Sequence, residues 1–265
     1  HTVINSDGTM SDATRTVIEQ AIAEGIEIVP VSGRAFATFP ESIGQIKGIS
    51  YAVTSNGAAI YNKKTGERIH GVAIEYADLH SILDAFAHYF HNGQITYEAF
   101  VDGVAYGGRE YVEHPEAFGV PERNVAYVQS TRKPVDDIIA FLSEHEEELD
   151  SLDIVAADTA LYRKIEEQIP LVTKSVYTTS AVSYRLEISH KNSGKATGLA
   201  YVLKLLDITP EETVAFGDGD NDAEMLEFAG LGVAMENATE NCKAAADIVC
   251  DCCKNDGVAR FLYGF

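Results

Sequence analysis

Forty-one acidic side chains against 20 basic ones give this 265-residue chain a formal charge of −21. Such a surface repels nucleic-acid backbones and anionic membranes, so neither is an expected partner. A small phosphorylated molecule stays open, because a metal ion and a few placed cations can dominate one site locally. No apolar run nears the roughly 20 residues that span a bilayer, and no basic segment followed by an apolar one opens the chain. The expectation is a soluble, cytoplasmic protein. The cysteines, Cys242, Cys250, Cys252 and Cys253, crowd near the C-terminus in neither a metal-binding pair of C-x-x-C motifs nor a disulfide framework, and read as free thiols.

In chain order, Ser11 is placed to cap a helix over 12–23, ended by Gly25. A buried strand over 26–32 follows and turns away at Gly33-Arg34. A short strand over 51–54 runs into Ser55-Asn56-Gly57, and a hairpin-like pair spans 58–62 and 68–72. The rhythm then changes. An amphipathic helix over 77–90 precedes strand-like runs at 94–100 and 103–106. Next come a helix over 134–148 with Pro134 in its first turn, a strand at 152–156, a helix over 159–168, and strands at 174–177 and 182–188. Strict alternation returns with a helix opening at Ser193 or Gly194 and running to 206. A strand over 213–217, a helix to 228, a strand over 232–235, a helix near 239–246 and a strand at 248–250 lead to a last helix near Gly257. The fold class is therefore α/β, with a Rossmann-like parallel-sheet core over 1–73 and 189–265 and an inserted α/β cap domain over 74–188.

The chemistry gathers where core strands end. Thr213-Val214-Ala215-Phe216 runs into Gly217-Asp218-Gly219-Asp220-Asn221-Asp222. Ligands of open α/β sheets collect outside the carboxyl ends of strands, and carboxylates converging there suit Mg²⁺, which takes one or two of them plus phosphate oxygens. An EF-hand reading fails, since Ala223 stands at the loop position that needs Gly and Ala229 at the position that needs Glu. Ser32-Gly33-Arg34, Ser55-Asn56-Gly57 and the Lys195 segment bring hydroxyl, amide and cationic groups to the other strand ends. Taken alone, Lys195 beside Gly194 reads as an ordinary solvated lysine, and it is not a Walker A lysine because Ala196 follows it. Together these groups form the set that phosphoryl transfer asks for.

Val31-Ser32-Gly33-Arg34, Thr54-Ser55-Asn56-Gly57-Ala58, Gly194-Lys195-Ala196-Thr197-Gly198-Leu199 and 217–222 resemble the successive motifs of the haloacid dehalogenase-like superfamily, most of all its Cof-type sugar-phosphatase branch. The resemblance covers nearly the whole chain, including the inserted block. It implies Mg²⁺-dependent hydrolysis of small phosphorylated metabolites, sugar phosphates or similar, through an aspartyl-phosphate. On that resemblance Ser32 and Lys195 serve catalysis. Ser32, Gly33, Arg34, Asn56, Lys195 and Asn221 meet phosphate or substrate, and Asp218 and Asp222 hold the metal, with Asn221 and Asp222 also supporting the lysine.

The family opens with Asp-x-Asp-Gly-Thr, nucleophile first and acid/base second. Asn5-Ser6-Asp7-Gly8-Thr9 imitates that string with Asn at the nucleophile position, but only four residues precede it, too few for a central strand. The better match starts His1 at the motif's end, with His in place of Gly, so both catalytic aspartates are expected just upstream of His1. Two alternatives stand beside the phosphatase: a non-catalytic regulator that binds a phospho-ligand or Mg²⁺, and a phosphomutase.

Overall fold

The computed structural model describes residues 2–5 and 8–263. Ser6 and Asp7 of the Asn5–Thr9 string lie outside the described residues. The chain divides into two compact units: His1–Ser32, Phe39–Ile69 and Gly194–Phe265 form the first, and Gly33–Thr38 with His70–Ser193 form the second. No helix among the described residues is long and apolar enough to cross a membrane.

The first unit opens with helix α1 (Asp12–Ala23), where the Ser11 hydroxyl accepts from the Thr14 amide at 3.0 Å, and Val17, Ile18 and Ala21 are buried at helical spacing. The expected strand over 26–32 is reduced to one parallel bridge between Val31 and Val53. Pro30 gives its carbonyl to the Val53 amide but has no N–H to return, so the ladder does not extend there. Short helix α2 (Glu41–Gly44) leads to strands β1 (Tyr51–Thr54), β2 (Ala59–Asn62) and β3 (Arg68–Gly71), a three-stranded sheet in chain order.

The second unit follows, with helix α3 (Tyr76–His91), strands β4 (Ile95–Val101) and β5 (Val104–Gly108), helices α4 (Arg109–Glu113) and α5 (Glu122–Thr131), strand β6 (Arg132–Val135), helix α6 (Ile138–Glu144), strand β7 (Leu149–Ala156), helix α7 (Thr159–Val172) and strands β8 (Val176–Val182) and β9 (Arg185–His190). The sheet order is β6-β5-β4-β7-β9-β8. Pro134, expected inside a helix, lies in β6 instead. That strand lies at the edge of the sheet, where proline is tolerated. The helix starts four residues later, at Ile138, capped by Asp137, which accepts from the Ile139 and Ala140 amides at 2.9 and 3.0 Å.

Side chains on the sheet alternate. Ile95, Tyr97 and Ala99 of β4, Leu152, Ile154 and Ala156 of β7, and Leu186 and Ile188 of β9 pack with the apolar faces of α3, α6 and α7. The opposite face carries Glu98, Asp153 and Glu187, which sit directly across from one another on three neighbouring strands. All three are buried. Two arginines compensate them: Arg132 grips Glu98 through Nε at 3.0 Å and Nη2 at 2.8 Å, and Arg185 reaches Glu187 at 3.0 Å, Asp153 at 3.3 Å and Glu98 at 3.6 Å. Tyr111 of α4 donates to Glu98 at 2.5 Å, which places α4 on this polar face.

Back in the first unit, helix α8 (Lys195–Leu206) precedes strand β10 (Val214–Gly217), helix α9 (Ala223–Phe228), strand β11 (Leu231–Met235), helix α10 (Glu240–Ala244), strand β12 (Ile248–Cys250) and helix α11 (Gly257–Tyr263). Strands β10, β11 and β12 pair in parallel, the connection that crossover helices require. Helix α8 lies close on β1, and a Cβ on Gly198 would fall 2.5 Å from Val53 Cγ1. Gly198→Ala should therefore destabilise the protein by about 1–3 kcal/mol through overpacking, although Ala is the better helix former by roughly 1 kcal/mol. The midpoint of urea unfolding reads this directly, and an unchanged or higher midpoint would show that the helix can move away at no cost.

Candidate active site

Strand β10 delivers the acidic loop 217–222. Gly217 is needed at its start, since a Cβ there would meet the Asp222 Cβ at 2.5 Å as the loop folds back. That return lets one Asp222 oxygen, Oδ2, accept from the backbone amides of Asp218 and Gly219, each at 2.9 Å. The other oxygen, Oδ1, accepts from Lys195 Nζ at 2.5 Å. Both side chains are buried, so the pair meets where water screens it little. Lys195 begins α8 directly after Gly194, whose φ of 146° is a backbone state that favours glycine.

Two further loops close on this pair. The Ser55–Gly57 turn ends β1, and Asn56 accepts through Oδ1 from Asn221 Nδ2 at 3.0 Å. A Cβ on Gly57 would fall on the Gly194 carbonyl, so the turn and the start of α8 touch backbone to backbone. Ser32 joins through its main chain, donating to the Val53 carbonyl at 2.9 Å and accepting from the Asn56 amide at 3.1 Å. On the far side of the loop, Thr239 donates its amide to the Asp218 carbonyl and its hydroxyl to Asp220 Oδ1, while capping α10. Thr2 donates to Asp218 Oδ1 at 2.7 Å. Burial, reinforced by Asp222 and Asp218, pushes the Cys242 thiol up to about 12, which keeps it neutral beside the carboxylates and no nucleophile.

Asn56, Lys195, Asp218, Asn221 and Asp222 are thus brought together, with Ser32 tied to them by backbone. Gly33 and Arg34 follow Ser32 in the chain. They belong to the second unit, where the Arg34 guanidinium lies 5.0 Å from the Tyr127 ring centre and donates to the Thr38 carbonyl at 3.4 Å. Thr2 and Thr239 are additions for which the sequence carried no signal beyond turn chemistry.

The donors suit one kind of metal. Among the described residues no group of three or more His, Cys, Asp or Glu side chains could cage an ion, and both Asp222 oxygens are already engaged. Half-buried Asp218 brings a hard carboxylate, one of whose oxygens also accepts from Thr2. It fits Mg²⁺, which keeps waters and phosphate oxygens around few protein ligands, and does not fit a soft or fully caged metal.

A family model described as haloacid dehalogenase-like hydrolase matches residues 1–262. The chain belongs to the haloacid dehalogenase-like hydrolase family. This hydrolase is 30% identical to Phosphatase YwpJ of Bacillus subtilis (strain 168), over 98% of the chain and 95% of the relative. It is 26% identical, over 98% of the chain and 93% of the relative, to the 5-amino-6-(5-phospho-D-ribitylamino)uracil phosphatase YitU of the same organism. A solved haloacid dehalogenase-like hydrolase from B. subtilis superposes with a TM-score of 0.80 at 27% identity, covering 98% of this chain and 95% of that one. The mixed α/β architecture with its parallel strands is that of the family, and the protein is a phosphoric monoester hydrolase.

Proposed function

We propose that this hydrolase cleaves phosphate esters of small metabolites, sugar phosphates or similar, with Mg²⁺ as cofactor and an aspartyl-phosphate as intermediate. The observation that carries the reading is the buried Lys195–Asp222 pair, clamped by two backbone amides next to Asp218. A carboxylate fixed on both oxygens holds the ammonium at one place, and a cation held in advance stabilises charge that develops on phosphoryl oxygens without reorganising. Ser32 and Asn56 supply hydroxyl and amide donors from neighbouring loops. Asp218 would hold Mg²⁺, with Asp222 behind it; when bound, the ion neutralises phosphoryl charge and orients the ester. In an aspartyl-phosphate route one aspartate carboxylate attacks phosphorus, and a second acid protonates the leaving oxygen and then takes a proton from the hydrolytic water. The substrate class draws support from the relative named for a phosphorylated ribityl compound.

The test is phosphate release from a panel of phosphorylated sugars and polyols, by full-length protein, with Mg²⁺ and with excess chelator. Turnover should need the ion, and Asp218→Ala should lose at least a hundredfold in activity together with its response to Mg²⁺, on the order expected for removing one charge-stabilising contact. Unaltered turnover in that variant would sink the metal assignment. Transfer between positions of one sugar without net release would replace hydrolysis by a mutase reaction.

A further inference from the structure

Three consecutive residues at the end of β1 have left-handed backbone: Ser55 at φ 48°, Asn56 at φ 51° and Gly57 at φ 91°. Only the last is a glycine. Each L-residue in this region costs free energy that the surroundings must offset, and Ser55 adds a second cost. Its hydroxyl is buried and has no hydrogen-bond partner among the described residues. A segment selected for stability alone would carry glycine at 55. Backbone strain of this kind, held by packing on every side, is characteristic of sites where geometry is put ahead of stability.

The turn is held by named contacts. The Asn56 amide donates to the Ser32 carbonyl at 3.1 Å and the Ala58 amide to the Ser55 carbonyl at 3.0 Å. Gly57 abuts Gly194 without room for a Cβ, and Gly198 of α8 has Gly57 Cα 3.1 Å from where its own Cβ would be. From this left-handed position the Asn56 carboxamide accepts from Asn221. Asn221 belongs to the same loop whose Asp222 fixes Lys195. A chain of contacts thus runs from a strained turn on one strand end, through a side-chain hydrogen bond, to the loop of another strand and the lysine at the head of α8.

We propose that Ser55-Asn56-Gly57 is a strained positioning element, which holds Asn56 against Asn221 and thereby fixes the 217–222 loop and the Lys195–Asp222 pair. Its catalytic consequence rests on the hydrolysis proposed above; the mechanical claim does not. Asn56 is then a residue that sets the loop, and its bond to Asn221 is the means. No phosphate ester need be present for the coupling to exist.

The experiment uses the full-length protein and its variants Ser55→Gly, Asn56→Ala and Asn221→Ala, compared by hydrogen exchange resolved to single amides, thermal unfolding and kinetics on a sugar phosphate. Ser55→Gly should raise Tm by about 2–4 °C, because it removes a strained L-residue and an unpaired hydroxyl in a protein of this size. It should nevertheless speed exchange at the Asp218 and Gly219 amides at least fivefold and lower kcat about tenfold, with KM changed less than twofold. Asn56→Ala should speed exchange at those same two amides, and Asn221→Ala should speed exchange at the Asn56 and Ala58 amides across the gap. A turn that only terminates its own strand would leave the other loop untouched in all three variants. Exchange confined to the mutated segment would overturn the proposal. If the wild-type chain hydrolyses no ester at all, the functional reading fails, and the reciprocal exchange still decides whether the two loops are coupled.

Discussion

Exchanging Lys195 for methionine will lower kcat by about a thousandfold or more, the scale of losing a preorganised charge contact, and will also destabilise the fold by about 3–5 kcal/mol. The second effect follows from burial. Asp222 keeps its two amide hydrogen bonds but loses the cation that compensates it in a site with little water. The two effects separate in the double variant Lys195→Met with Asp222→Asn. A neutral carboxamide still accepts from the Asp218 and Gly219 amides and no longer needs a counter-charge, so most of the stability returns while activity does not. Urea unfolding of the wild type, the single variant and the double variant measures the first, and phosphate release the second. A single variant that unfolds like the wild type would mean the lysine contributes nothing to the loop, and a near-native rate would remove it from the chemistry.

The other large effect belongs to the polar face of the six-stranded sheet. Burial pushes the Glu98 carboxyl up, yet Arg132 and Arg185 outweigh it and hold the group below its ordinary value. Glu98→Gln leaves both guanidiniums short of a buried partner and should cost about 3–5 kcal/mol at pH 7. Asp153 runs the other way. Burial and the neighbouring carboxylates of Glu187 and Glu98 raise it well above its ordinary 3.8, against the pull of Arg185. The signs follow from linkage. A depressed carboxylate adds stability above its unfolded value of about 4.5 and loses it as pH falls. A raised one costs stability as pH climbs past 3.8 toward its folded value. Asp153→Asn should therefore match or exceed the wild type at pH 7, with the gap closing toward pH 4. Glu98→Gln should be less stable at pH 7, with its gap also closing in acid. Unfolding at the two pH values checks both, and a destabilised Asp153→Asn at pH 7 would show that its charge is used.

How much of this could be read from residues alone varies with the reach of the contact. Ser11 announced α1 because a cap and its helix are neighbours in sequence, and the run Val214 to Gly217 before three acids announced a strand end for the same reason. Lys195, Asp218 and Asp222 were singled out by the order of motifs, and the structure brings them into contact through Asp222. Helices α4 and α5 were missed: they are short and polar, with little periodicity to betray them. Pro134 misled because a proline suits a helix start as well as an edge strand, and only the sheet order decides between them. The three-acid rung was invisible since Glu98, Asp153 and Glu187 meet through strand register, which no local pattern encodes. The left-handed state of Ser55 has no signature either, because serine is an ordinary turn residue and the strain comes from what surrounds it.

The segment Gly33–Thr38 has a consequence for anyone hoping to dissect the chain. It leaves the first unit after Ser32, inserts fully buried Ala35 between Phe100 and Ala105, donates the Ala37 amide to the Gly103 carbonyl, and returns at Phe39. The second unit is consequently not a cassette that can be cut out at its obvious joints. Residues 70–193 expressed alone would lack a plug that is encoded before β1, leaving Phe100 facing solvent and a backbone carbonyl unanswered. Grafting experiments that exchange this unit between relatives would have to carry the six-residue strap along with it, or accept a hybrid with a hole in its wall.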